Sequence, residues 1–179
     1  MSQITWKQYQ EISKQMIMEF LKNASLKERH NLVLGWNWDS GTDVLKWIAN
    51  DPGTDKATAL MLYWKSTPRY AKQYADRDEA IKNWAWGIDN FDIVEEVEKL
   101  FVSDFYKNHQ FAFDPTNDNG MNWTTEYLDK TIKREIPKVM FESLSGENVQ
   151  YSESGEFEGW AEGVPPHVWE EMKKYQVSG

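Results

Sequence analysis

The chain has 179 residues, a formal net charge of −9, 40% hydrophobic and 27% charged residues, a balance that places it among folded globular domains and excludes a disordered chain. So acidic a chain is a poor match for nucleic acid, whose phosphates call for Lys and Arg, and the absence of cysteine excludes disulfides, thiolate metal ligands and a thiol nucleophile. No apolar run approaches the ~20 residues that span a bilayer. The opening Met-Ser-Gln-Ile-Thr-Trp lacks the basic and apolar parts of a signal peptide, so a cytoplasmic protein that binds no membrane is expected.

Thr5 and Gln8 form a capping-box pattern, with Ile4 and Tyr9 at the positions of a hydrophobic staple. Tyr9, Ile12, Met16 and Phe20 recur at helical spacing opposite Lys7, Glu11, Lys14 and Lys22, which predicts a first helix ending near Asn23. Ser25 and Glu28 repeat the capping box and open a helix carrying Leu32, Val33 and Trp36. Asp39-Ser40-Gly41-Thr42-Asp43 is a turn. Thr42 or Asp43 then caps a short helix with Val44, Trp47 and Ile48 inward, stopped by Pro52-Gly53. Thr54 or Asp55 caps the next, whose inner face is Ala57, Leu60, Met61 and Trp64.

Thr67-Pro68 reads as an N-cap followed by proline at the first helical position. Tyr70, Ala71 and Tyr74 follow, with a break near Asp76. Ile81, Trp84, Ala85 and Ile88 continue the pattern across a boundary marked by Gly87 and Asp89-Asn90. Ile93, Val97, Leu100, Phe101 and Phe105 define a long helix. From His109 to Trp123 the periodicity lapses into a long loop, a place where function often resides. Helix returns with Tyr127, Leu128, Thr131 and Ile132 up to Pro137, Val149 to Trp160 alternates around Ser154-Gly155 as a small hairpin, and Pro165-Pro166 opens a last helix with Val168, Trp169 and Met172. The expected fold is therefore all-α: an irregular multi-helical bundle or short helical array with a minor C-terminal β-hairpin. Residues 1–108 form the helical core, and 109–179 form an extension packed on it as one unit.

Catalytic signatures are thin. His30, His109 and His167 lack the HExxH spacing of a helical zinc site, and there is no GxSxG elbow, GxxxxGK[ST] loop or GxGxxG fingerprint. His30, inside an amphipathic helix, is expected at the surface or as a capping residue. In the Asn117–Gly120 loop, Asn117, Asn119 and Glu126 fit a calcium pattern around Gly120, but the first ligand position falls on Pro115 and Asp114 is one residue out of step. With so few carboxylates the loop reads as an Asx-rich turn. No metal and no cofactor is expected. Asp39, Asp43, Asp51 and Asp55 could gather a cation or orient a hydrolytic water, but all sit at predicted helix ends, where capping explains them. Glu95, Glu96 and Glu98 read as a solvated helix face. Trp36, Trp47 and Trp64 lie on apolar faces and read as core rather than as a stacking platform, whereas Trp38 can project from a loop.

Leu34-Gly35-Trp36-Asn37-Trp38-Asp39-Ser40-Gly41, Trp47-Ile48-Ala49-Asn50 and Asp55-Lys56-Ala57-Thr58-Ala59-Leu60 with Tyr63-Trp64 together resemble a bacterial domain family of unknown function. That family carries an N-W-D-x-G turn and a D-x-x-T-A-L-x-x-[FY]-W helix. The resemblance covers roughly residues 25–75 and implies no catalytic residues. Members often have cysteine just before the aspartate of the second motif, where this chain has Thr54. Asn37, Trp38, Asp39, Gly41, Asp55, Thr58 and Trp64 read as scaffold: Asx side chains bond turn amides, Gly41 permits a positive φ, and Thr58 and Ala59 allow close helix approach.

Small size, acidity and the lack of catalytic motifs point to a non-enzymatic binding protein. The expectation is an immunity-type inhibitor that neutralises a basic bacterial toxin domain, such as a nuclease, by presenting carboxylates where phosphates would bind. The candidate surface is Asp114 and Asp118 in the long loop together with Glu153, Glu156, Glu158 and Glu162. The alternatives are a hydrolase built on the Asp39–Asp55 cluster and a scaffold or ligand-binding domain with an aromatic pocket.

Overall fold

The structure is a computed structural model that describes residues 3–149 and 155–177. It is all-α. In chain order the helices are α1 (Trp6–Asn23), α2 (Leu26–Gly35), α3 (Asp43–Asn50), α4 (Lys56–Lys65), α5 (Pro68–Lys72), α6 (Arg77–Trp84), α7 (Ile88–Val102) and α8 (Pro166–Met172). Two-residue strands β1 (Gln3–Ile4) and β2 (Gln176–Val177) pair in parallel. Packing divides the chain within α3 into a first unit, 1–44 with 149–179, and a second unit, 45–148. The change of sequence pattern at residue 108 falls inside the second unit.

In the first unit both capping boxes form. Gln8 N donates to Thr5 Oγ1 at 3.3 Å and Thr5 N to Gln8 Oε1 at 2.9 Å. Ser25 N donates to Glu28 Oε2 at 2.7 Å. The buried stripe of α1 is Ser13, Ile17 and Leu21, one position beyond the predicted one, while Ile12, Met16 and Phe20 flank it half-buried. The long aromatic and thioether side chains misled the pattern, because they reach a neighbour from the edge of a stripe. In α2 four consecutive residues, His30 to Val33, are buried. Four positions exceed a helical turn, so α2 is covered all round, and His30 is a core residue rather than the surface or capping one expected. The chain returns over α2 at Gly163, where φ is +78° and an added Cβ would sit 2.3 Å from the Leu32 carbonyl oxygen. Only glycine allows that approach. Pro166 then starts α8, which packs on α1. The expected hairpin does not form among the described residues: Gly155–Phe157 is a single 3-10 turn, and residues 150–154 lie outside them.

In the second unit α4 is the central element. Every residue from Ala57 to Trp64 is buried, as for a helix enclosed on all sides, and α7 packs along it, with α5 and α6 also against α7. Residues 103–148 wrap this core without α-helix, in turns and two short 3-10 helices, Trp123–Thr125 and Lys138–Phe141, and aromatic side chains with a polar end pin them. Tyr106 donates to Ala49 O at 2.6 Å and Trp64 Nε1 to Met140 O at 2.7 Å. The helix predicted at 127–132 is absent: Tyr127 has φ +54° and the segment is a series of turns. With β-branched Thr131 and Ile132, a stretch of barely two turns cannot offset the cost of nucleating a helix.

Candidate functional site

The motif residues are built into turns and caps. Asn37 Oδ1 accepts from Asp39 N at 3.0 Å and starts the 3-10 turn Trp38–Ser40. Gly41 ends it at φ +91°, and Trp36 Nε1 donates to Gly41 O at 3.0 Å. The Asp39 carboxylate is exposed at this turn, and Trp38 is half-buried. In the second unit Asp55 is 1% exposed. Its Oδ1 accepts from Ala57 N at 2.9 Å, capping α4, and its Oδ2 accepts from Gln110 N at 2.6 Å, tying the long loop to the helix. Thr54 donates its hydroxyl to Ile48 O at 2.7 Å, closing the end of α3. Trp64 and Thr58 are buried, and Trp64 packs edge-on against Tyr63 and Phe141. Trp47 is half-buried.

Residues 24–102 match the family model of DUF4274, a domain of unknown function. No curated protein and no solved structure matches the chain. The DUF4274 segment takes in α2 of the first unit and α4 to α7 of the second, and contains both motifs that carried the resemblance.

Of the four aspartates at predicted helix ends, Asp39 is exposed at its turn and the other three have separate local partners. Asp55 caps α4 as described, Asp51 Oδ1 accepts from Gly53 N at 2.8 Å, and Asp43 pairs with Lys14 at 3.1 Å. Among the described residues no three His, Asp or Glu side chains gather in a way that could hold a metal ion. Two of the glutamates expected on a solvated face of α7 are instead tied into a part-buried network around a buried lysine. Lys72, 3% exposed, lies 2.6 Å from Glu98 and 3.2 Å from Glu95. Tyr63 donates to Glu98 at 2.8 Å, and burial, reinforced by the Glu98 charge, pushes the Tyr63 hydroxyl far up from its ordinary pKa. Arg134 pairs with Glu95 and donates to the Tyr74 carbonyl at 2.8 Å. Sequence pattern could not show this, because the partners come from α5 and from the loop after residue 130. Beside the network opens a cleft of about 740 Å³ whose charges are already matched: Arg77 grips Asp92 at 2.7 and 2.9 Å, and Lys46 lies 2.5 Å from Asp89.

The candidate acidic residues separate into two sets. Asp114 and Asp118 belong to the second unit and serve their own loop. Asp114 accepts from Thr116 N and Oγ1 at 2.9 and 2.7 Å, and these bonds hold its pKa below the ordinary carboxylate value. Asp118 accepts from Trp123 Nε1 at 2.8 Å, and its charge partly offsets the burial that lowers the Lys65 pKa. Glu156, Glu158 and Glu162 belong to the first unit and are exposed, Glu156 pairing with Lys27 at 2.7 Å. Glu153 lies outside the described residues.

Two surfaces escaped the sequence reading. In the first unit a groove of about 540 Å³ runs between α1 and α8, with Met16, Phe20 and Val168 along it and Glu19, Glu28 and Glu171 around it. Phe20 sits edge-on to Trp160 and to His167, each at 5.8 Å. In the second unit Trp86 stands 83% exposed on a stack of aromatic rings, 5.6 Å from Trp84, which lies 4.7 Å from Tyr70. The sequence signal for the groove was Met16 and Phe20 at i, i+4 with Glu19 between them, off the central stripe of α1.

Proposed function

We propose that this chain is a non-enzymatic binding protein that neutralises a basic protein partner, in the manner of an immunity protein against a bacterial toxin domain. The observation that supports this reading is the run 149–172, which contains six glutamates and no lysine or arginine, with Glu156, Glu158, Glu162, Glu170 and Glu171 exposed. Capping and core packing explain few of these acids, since they lie mostly in turns. A one-signed exposed segment attracts a basic partner at long range and opposes acidic ones. If the partner is a nuclease, such a segment competes with phosphate for the same cations.

The test is the double variant Glu156→Lys with Glu158→Lys, measured for binding to the protein encoded by the adjacent gene. Slower association at low salt with little change in dissociation is expected, because peripheral charges act on encounter. Unchanged association would reject this surface. No binding of wild type to any neighbour-encoded protein would reject the immunity reading.

A further inference from the structure

The groove between α1 and α8 has an apolar floor and an acidic edge. Met16 and Phe20 from α1 and Val168 from α8 supply the floor, and Phe20 is held by its edge contact with Trp160. Glu19 and Glu171 supply carboxylates from the two helices, and Glu28 adds a third from the first turn of α2. We propose that this groove takes a lysine or arginine side chain from a basic segment of a protein partner. The aliphatic stem lies over Phe20, Met16 and Val168, and the cationic head pairs with a carboxylate at the rim, Glu19 or Glu171.

The chemistry selects this occupant over others. An anion meets three carboxylates and is repelled. A compact metal ion needs several donors within one small shell, yet the acids and His167 around the groove form no metal-binding group. A purely apolar partner would desolvate the carboxylates without pairing them. Lysine and arginine alone combine a long aliphatic stem with a terminal charge. The groove's own cations do not close it: Lys22 pairs with Glu19 at 2.6 Å, and Lys174 pairs with Glu171. Both are exposed i,i+3 surface pairs, which are weak and exchange readily.

This inference deepens the binding-protein reading and rests on it for the nature of the partner. Its test uses a probe that does not depend on finding that partner. An acetylated, amidated hexalysine peptide is titrated into the full chain at low salt, with amide and aromatic NMR signals and calorimetry as readouts. Saturable binding that moves the signals of Phe20, His167 and Val168 is expected. Glu19→Gln with Glu171→Gln should weaken it about tenfold, while the equally charge-reducing pair Glu135→Gln with Glu142→Gln, on exposed residues elsewhere, changes it by less than about twofold. Melting curves of both variants confirm folding. Equal weakening by both pairs means diffuse attraction and overturns the groove, as does binding that leaves the Phe20 and Val168 signals in place. The same variants, tested against a neighbour-encoded basic protein, separate the two readings. If that protein binds wild type and the groove variant equally, the groove fails and the function stands. If hexalysine occupies the groove and no such protein binds, the function fails and the groove stands.

Discussion

Asp39 and Asp55 carry the same side chain in neighbouring parts of the DUF4274 segment, and from sequence both look like helix-end aspartates. Their surroundings differ. Asp39 is exposed, and at its turn Asn37 is the acceptor, receiving the Asp39 amide. Asp55 is buried and accepts from two amides, one near in sequence, Ala57 N, and one in the distant loop, Gln110 N. Removing it takes away a helix cap, worth about 1 kcal/mol, and breaks a part-buried hydrogen bond from the Gln110 amide to a charged carboxylate, a kind of bond worth roughly 1.5–3 kcal/mol. Asp55→Ala should therefore lose about 3 kcal/mol in urea denaturation, and Asp39→Ala less than about 0.5 kcal/mol, as for an exposed side chain. Equal losses for the two would show that the second bond of Asp55 contributes nothing. Asp55→Asn, which keeps one acceptor oxygen, should fall between them.

The junction of α6 and α7 shows how an element boundary can be fixed by one ring. Trp84 is 2% exposed at the end of α6, and the backbone of Gly87 lies so near its indole that an added Cβ would be 1.9 Å from Cε2. The ring, enclosed by Tyr70 and Tyr74, has little room to yield. Gly87→Ala should cost about 3 kcal/mol, the upper range for forcing extra volume into a packed site. Trp86→Ala, one residue away but on the exposed side, should cost under about 1 kcal/mol. Thermal melts of the two variants check this, and a Gly87→Ala protein melting with wild type would show that the Trp84 ring moves aside freely. Gly87 was legible in sequence as a boundary, but not its reason, which is steric. The same division runs through the molecule. Capping boxes at Thr5–Gln8 and Ser25–Glu28 and the proline starts of α5 and α8 were readable because their partners lie within four residues. The burial of His30 and the network of Glu95 and Glu98 were not, because they depend on parts of the chain distant in sequence, such as Lys72 and Arg134 for the network. The groove was partly visible, as Met16, Glu19 and Phe20 on one face of α1, but its other wall comes from α8, more than a hundred residues later.

At the scale of the molecule, the net charge of −9 is unevenly used. Much of the acid in the second unit is paired at home, as Asp92 is with Arg77, Glu95 and Glu98 with Lys72, and Glu79 with Lys133. The run from 149 to 172 has no cation of its own; Glu156, Glu170 and Glu171 pair with Lys27, Lys173 and Lys174 outside it, but these are surface pairs, which are weak, so the acids still face solvent. That difference sets how binding to a basic partner should depend on salt. Raising ionic strength from about 0.01 M to about 0.15 M shortens the Debye length from roughly 30 Å to roughly 8 Å. Long-range attraction during approach is then largely screened, while a cation seated in the groove between Glu19 and Glu171 is close enough to escape most of the screening. The association rate constant should fall about tenfold or more over this range, and the dissociation rate should change by less than about threefold. Glu156→Lys with Glu158→Lys should flatten the salt dependence of association. Glu19→Gln with Glu171→Gln should instead act mainly on dissociation. Stopped-flow measurement of both rates across the salt series checks this, and an association rate indifferent to salt would show that the acidic run has no part in encounter.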